Sequence, residues 1–175
     1  MSIRGRIAWR LAPHEVRLRA AHEAGHALAY VRLGLPFTEV AINPVVRKNG
    51  ERVSAGGLIV SPLRVLLSQG EHESAIVATL SGATAEEALV GEGDPRRWEG
   101  DARSAIEQAH RALGLPDSDE PPSLVVALLT RLSRKAENLI SSERRLLREL
   151  AGDLAGHPRG TLSEKEVRAI VRGRS

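Results

Sequence analysis

Residues 20–33 read AAHEAGHALAYVRL: almost unbroken apolar or small side chains, interrupted by His22, Glu23 and His26. Pro13 suits the first turn of a helix, because it has no amide hydrogen to leave unpaired. Gly34 can end the helix in a left-handed conformation. The expected helix therefore runs from about Pro13 to Leu33. A helix apolar on nearly all sides is buried on nearly all sides, so polar residues inside it need a chemical reason.

His22 and His26 supply that reason. Side chains four apart share a helix face about 5–6 Å from one another. Two imidazoles so placed can converge on one metal ion, with Zn–N distances of about 2.0–2.1 Å. Glu23 points about 100° around the axis. It is placed to act as a general base beside the ion, taking a proton from water as a carbonyl is attacked and passing it to the leaving amine. His-Glu-x-x-His on a helix is the pattern of zinc peptidases. A satisfied histidine pair in a structural helix is the competing explanation.

A catalytic zinc needs a third protein ligand. Four candidates stand open: Asp101, at the start of a helix after a loop; Glu86 and Glu87, late on a helix that can face the first; and His72. Asp101 can also be read as a helix N-cap, and the glutamates as a charged surface. His72, His110 and His157 read as solvent-facing.

Working outward, 37–43 is rich in Val, Ile and Thr and reads as a strand. Asn49-Gly50 is a hairpin signal, with its partner strand at about Arg52 to Val60 and Pro62 ending it. Ser68 and Glu71 have capping-box spacing, opening a helix to about Val90 with Gly91 beyond. Gly82 inside it costs about 1 kcal/mol against alanine, which close packing on another helix would justify. Gly91 to Gly100 reads as a loop turning at Asp94-Pro95, followed by a helix from about Asp101 to Gly114. After the Pro-rich 115–123 come helices at about 124–140 and 142–154, a turn at 156–160, and a last helix opened by Ser163 and Glu166. The expected fold is mainly α with a small β-hairpin or sheet. It forms a single domain over 1–175: a basic segment at 1–12, a zinc-site half at 13–114 and C-terminal helices at 124–172.

The bulk numbers agree. The chain has 175 residues, 42% apolar and only 2% aromatic, so the core is built from Leu, Val, Ile and Ala. There is no cysteine, which excludes thiolate metal sites and cysteine nucleophiles. The net charge of +3 is too small to argue for nucleic acid. Arg4, Arg6, Arg10, Arg17 and Arg19 make the amino end locally basic, which reads as a solvated end or as contact with a partner or an anionic surface. No apolar run reaches the roughly 18 residues needed to span a membrane, and a cytoplasmic protein is expected.

The HEAGHAL stretch resembles the proteolytic domain of FtsH-type membrane proteases, the M41 peptidases. The resemblance continues through Gly34-Leu35-Pro36, Val40 and Ile42-Asn43-Pro44. Leu80 to Glu87 is similar to the family's Leu-x-Gly-Gly-Arg-x-Ala-Glu-Glu helix, and Gly100 to Ala105 to its Asn-Asp-Leu-x-x-Ala segment. Ala136, Leu139, Leu150-Ala151 and Leu162-Ser163 follow in order, so it covers about Leu18 to Val171. It implies one Zn²⁺ held by His22, His26 and Asp101, with Glu23 as base and a mainly helical fold. Glu86 and Glu87 would then lie around the ligands. The sequence departs from the family at Ala83, where the family has arginine, and at Ala55-Gly56-Gly57-Leu58, where it has a Gly-Tyr-Thr type of segment. No Gly-x-x-x-x-Gly-Lys-(Ser/Thr) phosphate loop occurs in the chain, so cleavage is expected to be ATP-independent within it.

The expected activity is that of a zinc metalloendopeptidase acting on unfolded or flexible polypeptides. Substrate would add along the Arg52–Val60 edge at Gly56, Gly57 and Leu58, where a glycine-rich backbone permits close approach. The alternative is a non-catalytic or regulatory metal-binding module that partners a larger protease or ATPase. Expected partners are a peptide or protein substrate and, as the resemblance implies, further copies of the chain or a separate ATPase.

Overall fold

The structure is a computed structural model and describes residues 3–43, 45–46, 52–54, 57–59, 68–93, 95–118 and 120–173. Helix α1 spans Ile3–Leu11 and α2 His14–Arg32. Four short strands follow: β1 Glu39–Ala41, β2 Val45–Val46, β3 Arg52–Ser54 and β4 Gly57–Ile59. Then come α3 Gln69–Val90, α4 Pro95–Leu113, α5 Ser123–Ser142 and α6 Arg144–Gly156, and finally β5 Thr161–Ser163 and α7 Glu164–Val171. The fold is mainly α, as expected.

The alanine-rich α2 is the central element. Leu18, Ala20, Ala21, His22, Ala24 to Ala29 are buried on it, all round the axis. One core joins its Ala24 and Leu28 to Phe37, Val40, Ile140, Leu147, Leu150, Leu162 and Val167. A second core lies among α3, α4 and α5, around Ile76, Ala105, Ala109, Val125, Leu128 and Leu132. Helix α3 packs along α2 and so connects the two. At the crossing, a Cβ on Gly25 would stand 2.4 Å from the Ser81 carbonyl oxygen and 2.6 Å from the Ala85 Cβ. Only glycine permits that approach.

The strands form two antiparallel pieces. In the first, the order is β4-β1-β5, with Val40 opposite both Leu58 and Leu162. In the second, β2 pairs with β3, Val46 opposite Arg52, so the ladder brackets the expected Asn49-Gly50 turn. That turn, Gly56 and Pro62 lie outside the described residues. Of the expected partner strand, Arg52 to Val60, the described residues belong to two strands with different neighbours, because β3 pairs with β2 and β4 with β1; Val60 lies outside them.

The helix signals performed unevenly. Both capping boxes are present: Ser68 and Glu71 open α3, Ser163 and Glu166 open α7, each with reciprocal side-chain and backbone hydrogen bonds. Gly91 ends α3 in the left-handed region. The basic segment at the amino end contains a helix, α1, packed on α6 through buried Gly5 and partly buried Trp9. Helix α4 begins at Pro95, not near Asp101. Pro95 is a first-turn residue there rather than part of a loop, and Asp101 lies a turn and a half inside the helix rather than capping it. Strand β5, which lies between the expected turn at 156–160 and the last helix and was not expected, is the third strand of the first sheet.

Candidate metal centre

The site is built where α2, α3 and α4 meet. His22 and His26 are 5% and 8% exposed. Their Nε2 atoms stand 3.0 Å apart, and Asp101 Oδ2 lies 3.2 Å from the first and 3.3 Å from the second. Three potential ligand atoms from two helices thus form a nearly equilateral triangle. Atoms about 2.0–2.1 Å from a tetrahedral ion stand about 3.3–3.4 Å from one another, so the triangle has the dimensions of one face of such a site.

The other ring nitrogens are spoken for. His26 Nδ1 donates to the Ala78 carbonyl oxygen at 2.8 Å. His22 Nδ1 faces Glu86 Oε1 at 2.8 Å, and Glu86 is fully buried. Each Nδ1 therefore carries the hydrogen of a neutral imidazole, leaving both Nε2 lone pairs turned toward each other and toward a carboxylate oxygen. Three lone pairs meeting out of water repel unless a cation lies among them. In the metal-free protein a proton serves. Burial draws the His22 imidazolium down, but hydrogen bonds to Asp101 and Glu86 and the charge of Glu23 outweigh it, and the pKa is pushed up to about 9. Burial likewise raises the Asp101 carboxyl, yet the two imidazoles hold it well below the usual carboxylate range. Two imidazoles and a carboxylate, both rings fixed from behind, fit a divalent ion of nitrogen and oxygen preference.

Helix α3 explains how the rings reach their place. Ala78, Gly82 and Glu86 follow at intervals of four and line one stripe of it. The stripe runs antiparallel to α2, so Ala78 meets His26 and Glu86 meets His22. Gly82 lies between. A Cβ there would stand 2.5 Å from His26 Cε1, 2.6 Å from its Nε2 and 2.9 Å from His22 Cε1. The expected reason for Gly82 was close helix packing; the neighbours it accommodates are the two imidazoles themselves.

Of the residues singled out from sequence, His22, His26, Asp101 and Glu86 come together. Glu86 does so behind His22 rather than in the triangle. Glu87 is exposed and does not approach. Glu23, one residue from His22, is partly buried, and a Cβ on Gly57 would lie 4.0 Å from its Oε2. Strand β4 therefore begins beside Glu23. The Leu58 backbone pairs with Val40. His110, expected in solvent, is 1% exposed, with Nδ1 donating to the Pro116 carbonyl oxygen. His72 and His157 are partly buried. The Ala78 carbonyl was not expected; its spacing of four from Gly82 on the same helix face is the signal that could have found it.

No helix among the described residues is long and apolar enough to cross a membrane. No protein-family model matches the chain. The sequence is 33% identical over 190 aligned positions, 92% of this chain, to the ATP-dependent zinc metalloprotease FtsH 2 of Symbiobacterium thermophilum. The chain spans 31% of that protein's length, so the two are distantly related over one part of FtsH 2.

Proposed function

We propose that the chain is a zinc-dependent metalloendopeptidase of the M41 type, hydrolysing peptide bonds of unfolded or flexible polypeptides without ATP chemistry of its own. The observation that carries this is the triangle of His22 Nε2, His26 Nε2 and Asp101 Oδ2 with both Nδ1 atoms tied off. These three residues would hold the ion. Bound there, zinc supplies Lewis-acid polarisation of a carbonyl and acidifies water near neutral pH. Glu23 accepts the proton of the attacking water and delivers it to the departing amine. Glu86 and the Ala78 carbonyl keep the imidazoles in the tautomer that ligation needs.

Substrate is placed by β4. It is the outer strand of its sheet among the described residues, and its first residue borders Glu23. An extended peptide adding along it, past Gly57 and Leu58, forms main-chain hydrogen bonds with the alternate residues whose backbone faces away from β1, and brings a scissile bond past the base. The kinship with part of FtsH 2 supports the same reading.

The test combines metal content with turnover. Elemental analysis of purified protein should give one zinc per chain, lost in Asp101→Ala. Casein or a peptide library should be cut by the zinc-loaded protein and, by about 10²–10⁴-fold less, by Glu23→Gln. Equal cleavage by both proteins removes Glu23 from the role. Zinc retained in full by Asp101→Ala removes the third ligand.

A further inference from the structure

Helix α1 carries arginine and no acidic residue. Its inner side is anchored on α6, and its outer side leaves Ile7 54% and Leu11 78% exposed. One turn apart, these two make an apolar ridge. Beside the ridge lies a groove of about 850 Å³, lined by Arg6, Arg10, Arg17 and Arg148 with Trp9 and Leu89. It adjoins a second groove that shares Arg6 and Arg148 and adds Arg144, Arg145 and the acidic Glu149. Six arginines therefore line the two grooves against one acidic side chain, Glu149. The Nε of Arg17 is buried with no acceptor. Clustered positive charge with a buried, unsatisfied donor is costly unless an anion is shared among the arginines.

We propose that this face rests on an anionic membrane surface. The groove receives the phosphate of an acidic phospholipid, and Ile7 and Leu11 enter the boundary between headgroups and acyl chains. A lipid surface uses both halves of the feature. A soluble polyanion would engage the arginines and leave the apolar ridge in water. A second copy, meeting this face on itself, would bring the same arginines against one another. The contact lies in the plane of the membrane surface and needs no spanning helix. It is independent of the metal centre.

Co-sedimentation of the full chain with vesicles tests it. Binding is expected to phosphatidylglycerol–phosphatidylcholine vesicles and not to phosphatidylcholine alone, with release as salt is raised. Arg6→Glu with Arg148→Glu should weaken the partition by more than about tenfold. Ile7→Ser with Leu11→Ser should weaken it by about tenfold, with the melting temperature unchanged. Should the charge reversals unfold the protein, Arg6→Gln with Arg148→Gln takes their place. A chain that stays in the supernatant with acidic vesicles overturns the proposal. So does loss of binding in the arginine variant alone, with free polyphosphate competing fully, which assigns the groove to a soluble polyanion. A monomer–dimer equilibrium that shifts in the Ile7 and Leu11 variant while vesicle binding does not overturns it in favour of self-association.

Discussion

Glu86 is a carboxylate with no exposure to water, and a buried charge survives only when paired. Its Oε1 stands 2.8 Å from His22 Nδ1. Removing the carboxylate frees that ring to turn and to change tautomer. Glu86→Ala is expected to weaken zinc binding by about 10–100-fold, as loss of an outer partner of a metal-bound histidine does. Glu86→Gln, which can still accept from Nδ1, should lose less, and competition against a chromophoric chelator separates the two. The same residues set a pH response in the metal-free protein. His22 has a higher pKa folded than unfolded, so its protonation stabilises the fold fully below its ordinary 6.5, and the contribution is lost as pH rises through about 9. Asp101 is depressed in the fold, so its contribution is present above its ordinary 3.8 and disappears as pH falls below that. Chelator-treated protein should therefore show a urea midpoint that drops between about pH 6 and about pH 9.5. Zinc-loaded protein should lose less over that interval, because the ion takes the proton's place. Identical pH profiles with and without zinc would separate the stability response from this site.

Two glycines at the α2–α3 crossing distinguish fold from site at the level of the elements. A Cβ on Gly25 meets backbone, the Ser81 carbonyl oxygen, and the helices must separate to admit it. Gly25→Ala is expected to destabilise the protein by about 1–3 kcal/mol in urea denaturation. A Cβ on Gly82 meets imidazole rings instead. Rings can swing aside, so Gly82→Ala should abolish zinc binding while shifting the urea midpoint far less. Much of this crossing was legible in the sequence. The apolar run around His22 and His26 implied a buried helix, the pair at i, i+4 implied a shared metal ion, and Ser68, Glu71 and Gly91 marked the ends of α3. Gly82, unfavourable inside a helix, announced a close neighbour without naming it. The choice between Glu86 and Glu87 was not legible, because adjacent residues point about 100° apart and only the packing decides which meets α2. Helix α1 has Gly5 where a capping box would need Glu or Gln, and its arginines resemble a solvated end, so it emerged only from its docking on α6. The start of α4 was misplaced because Asp94-Pro95 serves equally as a turn and as a helix opening.

At the scale of the whole molecule, the candidate metal centre joins two cores. His22 and His26 belong to α2, which shares the first core with α6 and α7, whereas Asp101 is on α4, which shares the second with α3 and α5. An ion held by all three residues pins α4 to α2 near the amino end of α4. Since it binds the folded chain in preference to the unfolded one, free zinc at 100 times its dissociation constant adds about 2.7 kcal/mol. For a chain of this size that raises the melting temperature by about 5–10 °C. The gain should vanish in Asp101→Ala, although that variant keeps both imidazoles. The stabilisation should also be uneven. Hydrogen exchange after zinc removal is expected to quicken in the first two turns of α4, from 95 to 101, where the anchor to α2 has gone. Amides facing Leu132 in α5 and Leu150 in α6, deep in the two cores, should hold their protection. If exchange instead quickened evenly through both cores, or α4 were indifferent to the metal, Asp101 would not be the tie between them.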